Sequence, residues 1–424
     1  MRDIVAPLAV ALALRLLLVA LTTSAPSWDG VIYVRAAEQL ARGEGYTQRI
    51  LHEGNSPHPT AFYPVGYPAV LAVVRWLGGG LGADLALQCA CGALLVPLTY
   101  LLARRARGRA AGRHAAWLAA LWPGGIFLSA TWLAEPLFAV GAALSLLPLA
   151  YARRRNRTRA LVLAALGLGL TSYLRASALP IAALVGLLLG RPMRLRDVRI
   201  PRWVAAGALA AGMGAIACLP LAPWMARNAR LLGAPVLVST NDGVNLLLGA
   251  RGDGSFTTLT SDEPCKRGGL REVERSRCYT AQARSLLAAD PFSAGARALL
   301  KLAHTYGHDS APAQCFADGL RAEPGARNAW RLWSLGLCRV AWLLILGAAL
   351  MGAIEVCRRG DRVARALLIG PIAAIALLHM VFLGGDRYHA AVAPMLLALA
   401  GIGLAMLRRR ERDARQSAAP AQAA

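Results

Sequence analysis

Five charged residues lie near the ends of apolar stretches, and their side chains suit proton transfer and the binding of phosphate. Asp29 follows the first apolar run and Glu135 opens a later one, and a positioned carboxylate can take the proton of a reacting hydroxyl. A planar guanidinium donates two parallel hydrogen bonds to a phosphate, and the arginines so placed are Arg175, Arg227 and Arg387. All five are therefore candidate site residues.

Each of these candidates also has a structural interpretation, which the residue types leave open. Aspartate is a good helix N-cap, and Asp29 stands just before an amphipathic segment. An acid in the first turn of a helix, such as Glu135 beside Pro136, is favoured by the helix dipole. Arginines near the end of a membrane span can extend toward lipid headgroups.

The stretch "AFYPVGYPAVLAVVRW", residues 61–76, places two prolines and two tyrosines at the start of an apolar run. Proline suits the entrance of a helix better than its middle, so Pro64 and Pro68 predict a helix start. Tyr63 and Tyr67 have the side chain that is typical of a membrane–water interface. We expect a short interfacial helix with both tyrosines at headgroup level, where they can contact a substrate; a true span here would be short.

Tyr388 and His389 follow Arg387 directly and are the other candidates for substrate binding. A lone histidine is more often a packing residue, and this alternative stays open for His389. The histidines show no ligand spacing such as HExxH. The sequence therefore predicts neither a metal site nor another cofactor.

The composition is that of a membrane protein. Hydrophobic residues make up 56% of the 424 residues, and the mean hydropathy is +0.45. The formal net charge of +24 would suit nucleic acid, but the arginines fall in short clusters between apolar runs. We therefore expect a membrane and not a nucleic acid as the partner of this chain.

The apolar runs predict ten membrane-spanning helices, because a crossing needs about 20 apolar residues. The predicted spans are 4–21, 83–103, 114–130, 133–151, 160–173, 176–190, 203–222, 334–357, 366–383 and 390–407.

Arginine placement predicts the orientation of these spans. With the N-terminus in the cytoplasm, each inside segment is an arginine cluster, as the positive-inside rule requires, and the clusters are "RRARGRAAGR", "RRRNRTR", "RPMRLRDVRIPR", "RRGDRVAR" and "RRRERDAR". Both termini would then be cytoplasmic. Arg15 interrupts the first run and a proline follows Ala25, so we expect an uncleaved first span.

The predicted organisation is one membrane domain over residues 1–424 with two extracytoplasmic segments. The first, 22–82, holds an amphipathic helix ended by Gly43 and the interfacial helix described above. The second, 223–330, is read as a short strand at "VLVS", a turn at residues 241–243, and two helices at "CYTAQARSLLAAD" and "PFSAGARALLKLAHTYG".

Three cysteines share the second outer segment, where a disulfide is chemically permitted. Three pairings are possible among Cys265, Cys278 and Cys315. We expect Cys265–Cys278, because the twelve residues between them close a short loop. Cys315 would then remain unpaired.

An ordered set of motifs resembles the GT-C membrane glycosyltransferases, and most nearly their family 39-like branch of protein O-mannosyltransferases and the bacterial aminoarabinose transferase of lipid A. The motifs cover most of the chain in the expected order, and they are "WDGVIYVRAAEQLARGEGY", "YPVGYP", "LAEPLF", "PWMARNARLLGAPVLVSTNDGVNLLLG" and "DRYHAAVAPMLL".

The resemblance implies a GT-C-like all-α polytopic bundle that moves a sugar from a polyprenyl phosphate to an acceptor outside the cytoplasm. Asp29 matches the catalytic aspartate of the first external loop, and a second acid such as Glu135 contacts the acceptor or orients the first. The acceptor would be a glycolipid, a cell-envelope polysaccharide or a protein, and the location the plasma (inner) membrane. The alternatives are a transporter or flippase of a lipid-linked saccharide, and a non-catalytic scaffold.

Overall fold

A computed structural model describes residues 2–48, 58–195, 198–260, 262–267 and 269–418. Helices dominate the described chain, and the strands pair only as two short antiparallel hairpins, β1 with β2 and β3 with β4. In chain order the elements are α1 (Arg2–Leu21), α2 (Asp29–Ala41), β1 (Thr47–Gln48), β2 (His58–Pro59), α3 (Gly66–Trp76), α4 (Leu81–Leu121), α5 (Pro123–Leu128), α6 (Glu135–Ala150), α7 (Arg157–Ser172), α8 (Ala178–Leu189), β3 (Met193–Leu195), β4 (Val198–Ile200), α9 (Arg202–Cys218), α10 (Ala222–Leu232), α11 (Asp242–Ala250), α12 (Pro264–Arg267), α13 (Glu272–Ala289), α14 (Pro291–Tyr306), α15 (Ala311–Gly319), α16 (Pro324–Arg359), α17 (Arg362–Val381) and α18 (Ala393–Ala418).

The fold is that of an all-α polytopic membrane protein, as predicted. Within the described residues, six helical segments are long and apolar enough to cross a membrane, and two more, α6 and α8, are apolar but shorter. The expected count of ten spans is not confirmed. One reason is α4, in which the backbone leaves helical geometry at Arg107 and Gly108 and joins two predicted spans into one element.

The largest buried cluster lies where α4, α6, α7, α8, α16, α17 and α18 meet, and alanine is its commonest residue. Small residues let membrane helices approach closely. A Cβ added at Gly352 or Gly403 would collide with the backbone of the facing helix, so α16 and α18 touch there almost backbone to backbone. This core holds the turn just before α18, which carries part of the site, against α6.

Residues 22–82, which the sequence predicts to lie outside the cytoplasm, contain two helices that are not among the candidate spans. The amphipathic α2 buries Tyr33 and Ala37, and Gly43 follows it with a φ of 77°, as predicted. Helix α3 has 11 residues, so it is about 16 Å long, against about 30 Å for a bilayer core. Tyr33 packs edge-on against Tyr67, with ring centroids 5.3 Å apart, and so joins α2 to α3.

The prediction of a strand at "VLVS", residues 236–239, is wrong. The carbonyl oxygens of this segment accept from side chains of α10: Val236 from Asn228 Nδ2, and Val238 from Trp224 Nε1. The turn predicted at 241–243 is also shorter than expected, because helix α11 already begins at Asp242. The two helices predicted after it are confirmed as α13 and α14, and α14 begins at Pro291.

The predicted disulfide is confirmed. Cys265 and Cys278 are bonded, with 5.8 Å between their Cα atoms, and they join α12 to α13. Cys315 is a buried free thiol in α15.

Arg15, inside the first span, has a structural role. Its guanidinium donates to the carbonyl oxygens of Ala11, Ala119 and Ala120. Pro123 begins the next helix and has no N–H, so the last carbonyls of α4 lack their helical donors. A buried arginine therefore completes the end of α4.

Candidate functional site

The centre of the site is a carboxylate–guanidinium pair between the start of α2 and the start of α18. Asp29 Oδ2 lies 2.7 Å from Arg387 Nη2, and the Tyr63 hydroxyl donates to Asp29 Oδ1 over 3.0 Å. Arg387 belongs to a 3-10 turn, Asp386–Val392, that precedes α18. Asp29 occupies the first helical position, and the N-cap position, held by Trp28, makes no side-chain capping bond. The carboxylate therefore serves the cluster and not the helix end.

A second pair lies beside the first. Arg175 Nη1 is 2.5 Å from Glu135 Oε1, and Arg387 Nε lies 3.9 Å from the same oxygen. The Glu135 side chain is 2% exposed. The negative charges of the two acids thus balance the positive charges of the two arginines. A buried cluster of charged side chains is tolerated when each of them has a partner of opposite charge.

The environment keeps Asp29 ionised. Burial alone would raise the pKa of the Asp29 carboxyl, but the Arg387 guanidinium and the Tyr63 hydroxyl outweigh it and hold the pKa below its ordinary value. The same cluster raises the pKa of the Tyr63 hydroxyl, through burial first and through the charge of Asp29 second. Asp29 is therefore a carboxylate, and Tyr63 a neutral donor, at neutral pH.

Tyr388 orders the two arginines. The guanidinium carbons of Arg175 and Arg387 lie 5.1 and 5.2 Å from the centre of its ring, within cation–π range. His379 of α17 stacks on the same ring at 4.1 Å between centroids.

The cluster opens into a cavity of about 1300 Å³. Asp29, Tyr63, Arg175, Arg387 and Tyr388 all line it. Its other walls differ in character: an apolar wall comes from Leu174, Leu179, Leu378 and Phe382, and a polar wall from Asn241, Asn245, Ser276 and Arg277. Apolar walls with a few convergent polar groups are the usual build of a ligand site.

Glu135 does not itself line this cavity, although its partner arginines do, and three further predicted site residues also lie outside the lining. Arg227 donates to the carbonyl oxygens of Thr60 and Tyr46, so its guanidinium supports the backbone of the segment between α2 and α3. Tyr67 is 1% exposed and accepts a hydrogen bond from Gln88 Nε2.

The third is His389, whose ring is fully buried. It stacks on Trp342 with 3.9 Å between centroids, and its Nδ1 lies 2.8 Å from the Thr305 carbonyl oxygen. His389 is therefore a packing residue, which is the alternative that the sequence left open.

Two His–Asp pairs hold the turn that carries Arg387, and each joins residues 308–309 to residues 386–389. The sequence did not predict these pairs. His308 Nδ1 lies 2.8 Å from Asp386 Oδ2, and His389 Nε2 lies 3.2 Å from Asp309 Oδ1. Asp386 also accepts from the backbone N–H of Ala311 at the start of α15. The sequence signal is weak, because "HD" at 308–309 and "DRYH" at 386–389 lie far apart along the chain.

No group of three or more His, Cys, Asp or Glu side chains in the described ranges is arranged to hold a metal ion.

No family model matches the sequence, and no curated protein matches it. Solved structures of the oligosaccharyltransferase of Archaeoglobus fulgidus are similar in fold. The apo form has a TM-score of 0.51 and 14% identity, over 96% of this chain and 52% of that chain. The form tethered to an acceptor peptide with the NVT sequon has a TM-score of 0.50 and 16% identity, over 95% and 50%. The chain thus spans about half the length of these proteins, and it shares their fold over that part.

Proposed function

We propose that the protein is a membrane glycosyltransferase that moves a sugar from a polyprenyl-phosphate donor to an acceptor hydroxyl outside the cytoplasm. The observation that carries the proposal is the Asp29–Arg387 pair, which pairs a base with a phosphate ligand at the end of a large, partly apolar cavity. The fold shared with the oligosaccharyltransferase and the motif resemblance to the family 39-like branch support the same class.

In the proposed reaction Asp29 is the general base. The acceptor hydroxyl attacks the anomeric carbon of the donor sugar, a new carbon–oxygen bond forms, and the bond between sugar and phosphate breaks. The hydroxyl proton passes to Asp29, and polyprenyl phosphate leaves with the bonding electrons. A positioned base contributes about 10²–10⁴-fold to such a step.

Arg387 interacts first with the base, Asp29, and then with the leaving phosphate. Before transfer its guanidinium faces the Asp29 carboxylate. As Asp29 accepts the proton it loses its negative charge, while the leaving phosphate gains one. The positive charge of Arg387 is then available to the phosphate, at the moment when electrostatic stabilisation is needed.

The neighbouring residues have supporting roles in this proposal. Arg175 is a second phosphate ligand, and Glu135 holds both arginines in place. Tyr63 orients the Asp29 carboxylate. Tyr388 keeps the guanidinium groups beside the cavity. Arg227, Tyr67 and His389 support the surrounding fold and take no part in the reaction.

The proposed location is the plasma (inner) membrane, with both termini in the cytoplasm and the cavity on the outer side. The acceptor is a glycolipid, an envelope polysaccharide or a protein.

The test uses full-length protein in lipid vesicles with a radiolabelled polyprenyl-phosphate sugar. An enzyme releases free polyprenyl phosphate, whereas a flippase moves the intact lipid across the bilayer and a scaffold does neither. Transbilayer movement of uncleaved donor, with no release of polyprenyl phosphate, would contradict the proposal.

A further inference from the structure

The residue just before Asp29 is tied to a helix of the other external segment. Ser27 Oγ donates to the carbonyl oxygen of Cys315 over 2.8 Å, and Trp28 Nε1 donates to Asp318 Oδ2 over 2.9 Å. Both partners belong to α15. The indole of Trp28 is therefore oriented by a fixed hydrogen bond, one residue away from the proposed base.

Trp28 also has an unusual backbone. Its φ is 51° and its ψ is −134°, and it is the one non-glycine residue with positive φ among those that the structure describes. A conformation of this kind costs free energy and persists where the surroundings over-determine it, often at a functional site. The ring lines the cavity and is 36% exposed.

Gln314 belongs to α15, the same helix that carries Asp318, the hydrogen-bond partner of this ring. It precedes Asp318 by four residues in α15, so the two side chains share one face of the helix, one turn apart. Gln314 lines the same cavity as Trp28 and Asp29. Its carboxamide has no hydrogen-bond partner within the described part of the chain, although it can both donate and accept.

We infer that Trp28 and Gln314 form an acceptor subsite for a sugar ring, so that the acceptor of the proposed transfer is a carbohydrate hydroxyl. This inference rests on the proposed function. The C–H face of a sugar ring packs on the indole, which has a large apolar surface. A sugar hydroxyl both donates and accepts, as a carboxamide does, and a polar group placed in a pocket fixes the orientation of its ligand.

A peptide acceptor fits the cavity lining at Trp28 and Gln314 less well. Extended peptides are commonly held by main-chain hydrogen bonds to a strand edge. None of the strands that the structure describes contributes a residue to the cavity lining. The cavity lining that Asp29 shares instead includes the aromatic ring of Trp28 and the carboxamide of Gln314.

In this arrangement Gln314 presents the sugar hydroxyl to Asp29. The acceptor oxygen forms its bond to the anomeric carbon of the donor sugar and gives its proton to Asp29, and polyprenyl phosphate leaves toward the arginines. Trp28 and Gln314 bind the acceptor and do not touch the phosphate, so their loss weakens transfer to the acceptor and spares donor binding and the cleavage of the donor by water.

The test compares wild-type protein with Gln314→Leu and Trp28→Leu in nanodiscs. The donors are undecaprenyl phosphates carrying radiolabelled mannose, glucose or arabinose. The acceptors are methyl glycosides, octyl glycosides of the same sugars, and a peptide rich in serine and threonine. Gln39→Leu is the matched control, because Gln39 lies on α2 outside the cavity lining.

We expect label on glycosides and an increase of about tenfold or more in their KM for Gln314→Leu, since a lost hydrogen bond costs about that much in binding. The release of polyprenyl phosphate in water without acceptor should be unchanged. A preference for octyl over methyl glycosides would assign a glycolipid acceptor, and equal use of both would assign a saccharide without a lipid tail.

Three results would overturn the subsite: label on the peptide alone, donor cleavage without label on any glycoside, or a wild-type glycoside KM in Gln314→Leu. If no donor is cleaved at all, the proposed function fails, and saturation-transfer NMR with methyl glycosides still decides the subsite. Equal saturation transfer, or none, in wild type and Gln314→Leu would overturn it.

Discussion

At the scale of single residues, the role of Asp29 can be separated from its contribution to folding. Asp29→Asn keeps the size of the side chain, and its carbonyl oxygen can still accept from Tyr63 or from Arg387. The variant should fold and bind donor, but lose about 10²–10⁴-fold in transfer rate, because an amide cannot take the proton. The measurement is transfer on membranes at equal protein level. Full activity would remove Asp29 from the mechanism and leave Glu135 as the next candidate.

Arg387 should control both donor use and the pH dependence of transfer. The base form of Asp29 exists above its pKa and is lost as the pH falls through that value. Arg387 holds the pKa below the ordinary range, so wild-type transfer should decline only at clearly acidic pH. Arg387→Gln should move this decline to higher pH and lower transfer about tenfold or more, because a charge-assisted contact is lost.

The check is a pH–rate profile of kcat/KM for both proteins, with Arg230→Gln as the control on an exposed arginine of α10. An unchanged profile and unchanged donor kinetics in a folded Arg387→Gln protein would reduce this residue to a headgroup anchor.

At the scale of elements, the pair of His308 and Asp386 should make the turn before α18 sensitive to pH. The hydrogen bond to Asp386 raises the pKa of His308, with opposing effects of burial and of Arg339 and a smaller favourable effect of Asp309. A raised pKa in the folded state means that the stabilisation is present below the unfolded value of about 6.5. It is lost as the pH rises through the folded value.

The corresponding measurement is thermal unfolding between about pH 5 and 8, bracketing the ordinary histidine pKa. Wild-type protein should lose stability across this interval, and His308→Gln should lose less, because glutamine does not titrate there. Identical slopes for the two proteins would show that the pair contributes nothing to the pH dependence.

The end of α4 should depend on the close contact between Gly92 and Arg15. A Cβ at Gly92 would collide with Arg15 Nε, which belongs to the side chain that binds the free carbonyls of α4. Gly92→Ala should therefore destabilise the protein by about 1–3 kcal/mol, the usual cost of overpacking. Gly347→Ala is the control, since no heavy atom lies within 4 Å of its Cβ position. Equal melting temperatures for the two variants in detergent would contradict this account.

At the scale of the whole molecule, the arginine clusters predict the orientation in the membrane, and thiol reagents can test this prediction. Cys357 is an exposed free cysteine at the end of α16, next to Arg358 and Arg359. A membrane-impermeant maleimide should label it in inside-out vesicles and not in intact cells. A cysteine introduced at Ser255, in the segment 223–330 that is predicted to be external, should show the opposite pattern. Labelling of Cys357 from outside would reverse the orientation and place the cavity in the cytoplasm.

The local pattern of the sequence determined the class of protein and most of its helices. Long apolar runs cannot stay in water, and arginines collect on one side of a bilayer, so composition and spacing alone indicated a polytopic membrane protein. Turn chemistry did the same on a smaller scale: Gly43 ends α2, and Pro291 begins α14. The short separation of Cys265 and Cys278 likewise indicated their disulfide.

What the tertiary structure decided is which polar side chains converge. Asp29, Glu135, Arg175 and Arg387 come from distant parts of the chain, and the sequence presented Arg227 as their equal. The fold placed Arg227 against carbonyl oxygens instead, and it joined His308 to Asp386 across 78 residues. Membership of a site depends on which helix faces meet in space, and helix packing sets this through contacts between small residues that no local pattern reveals.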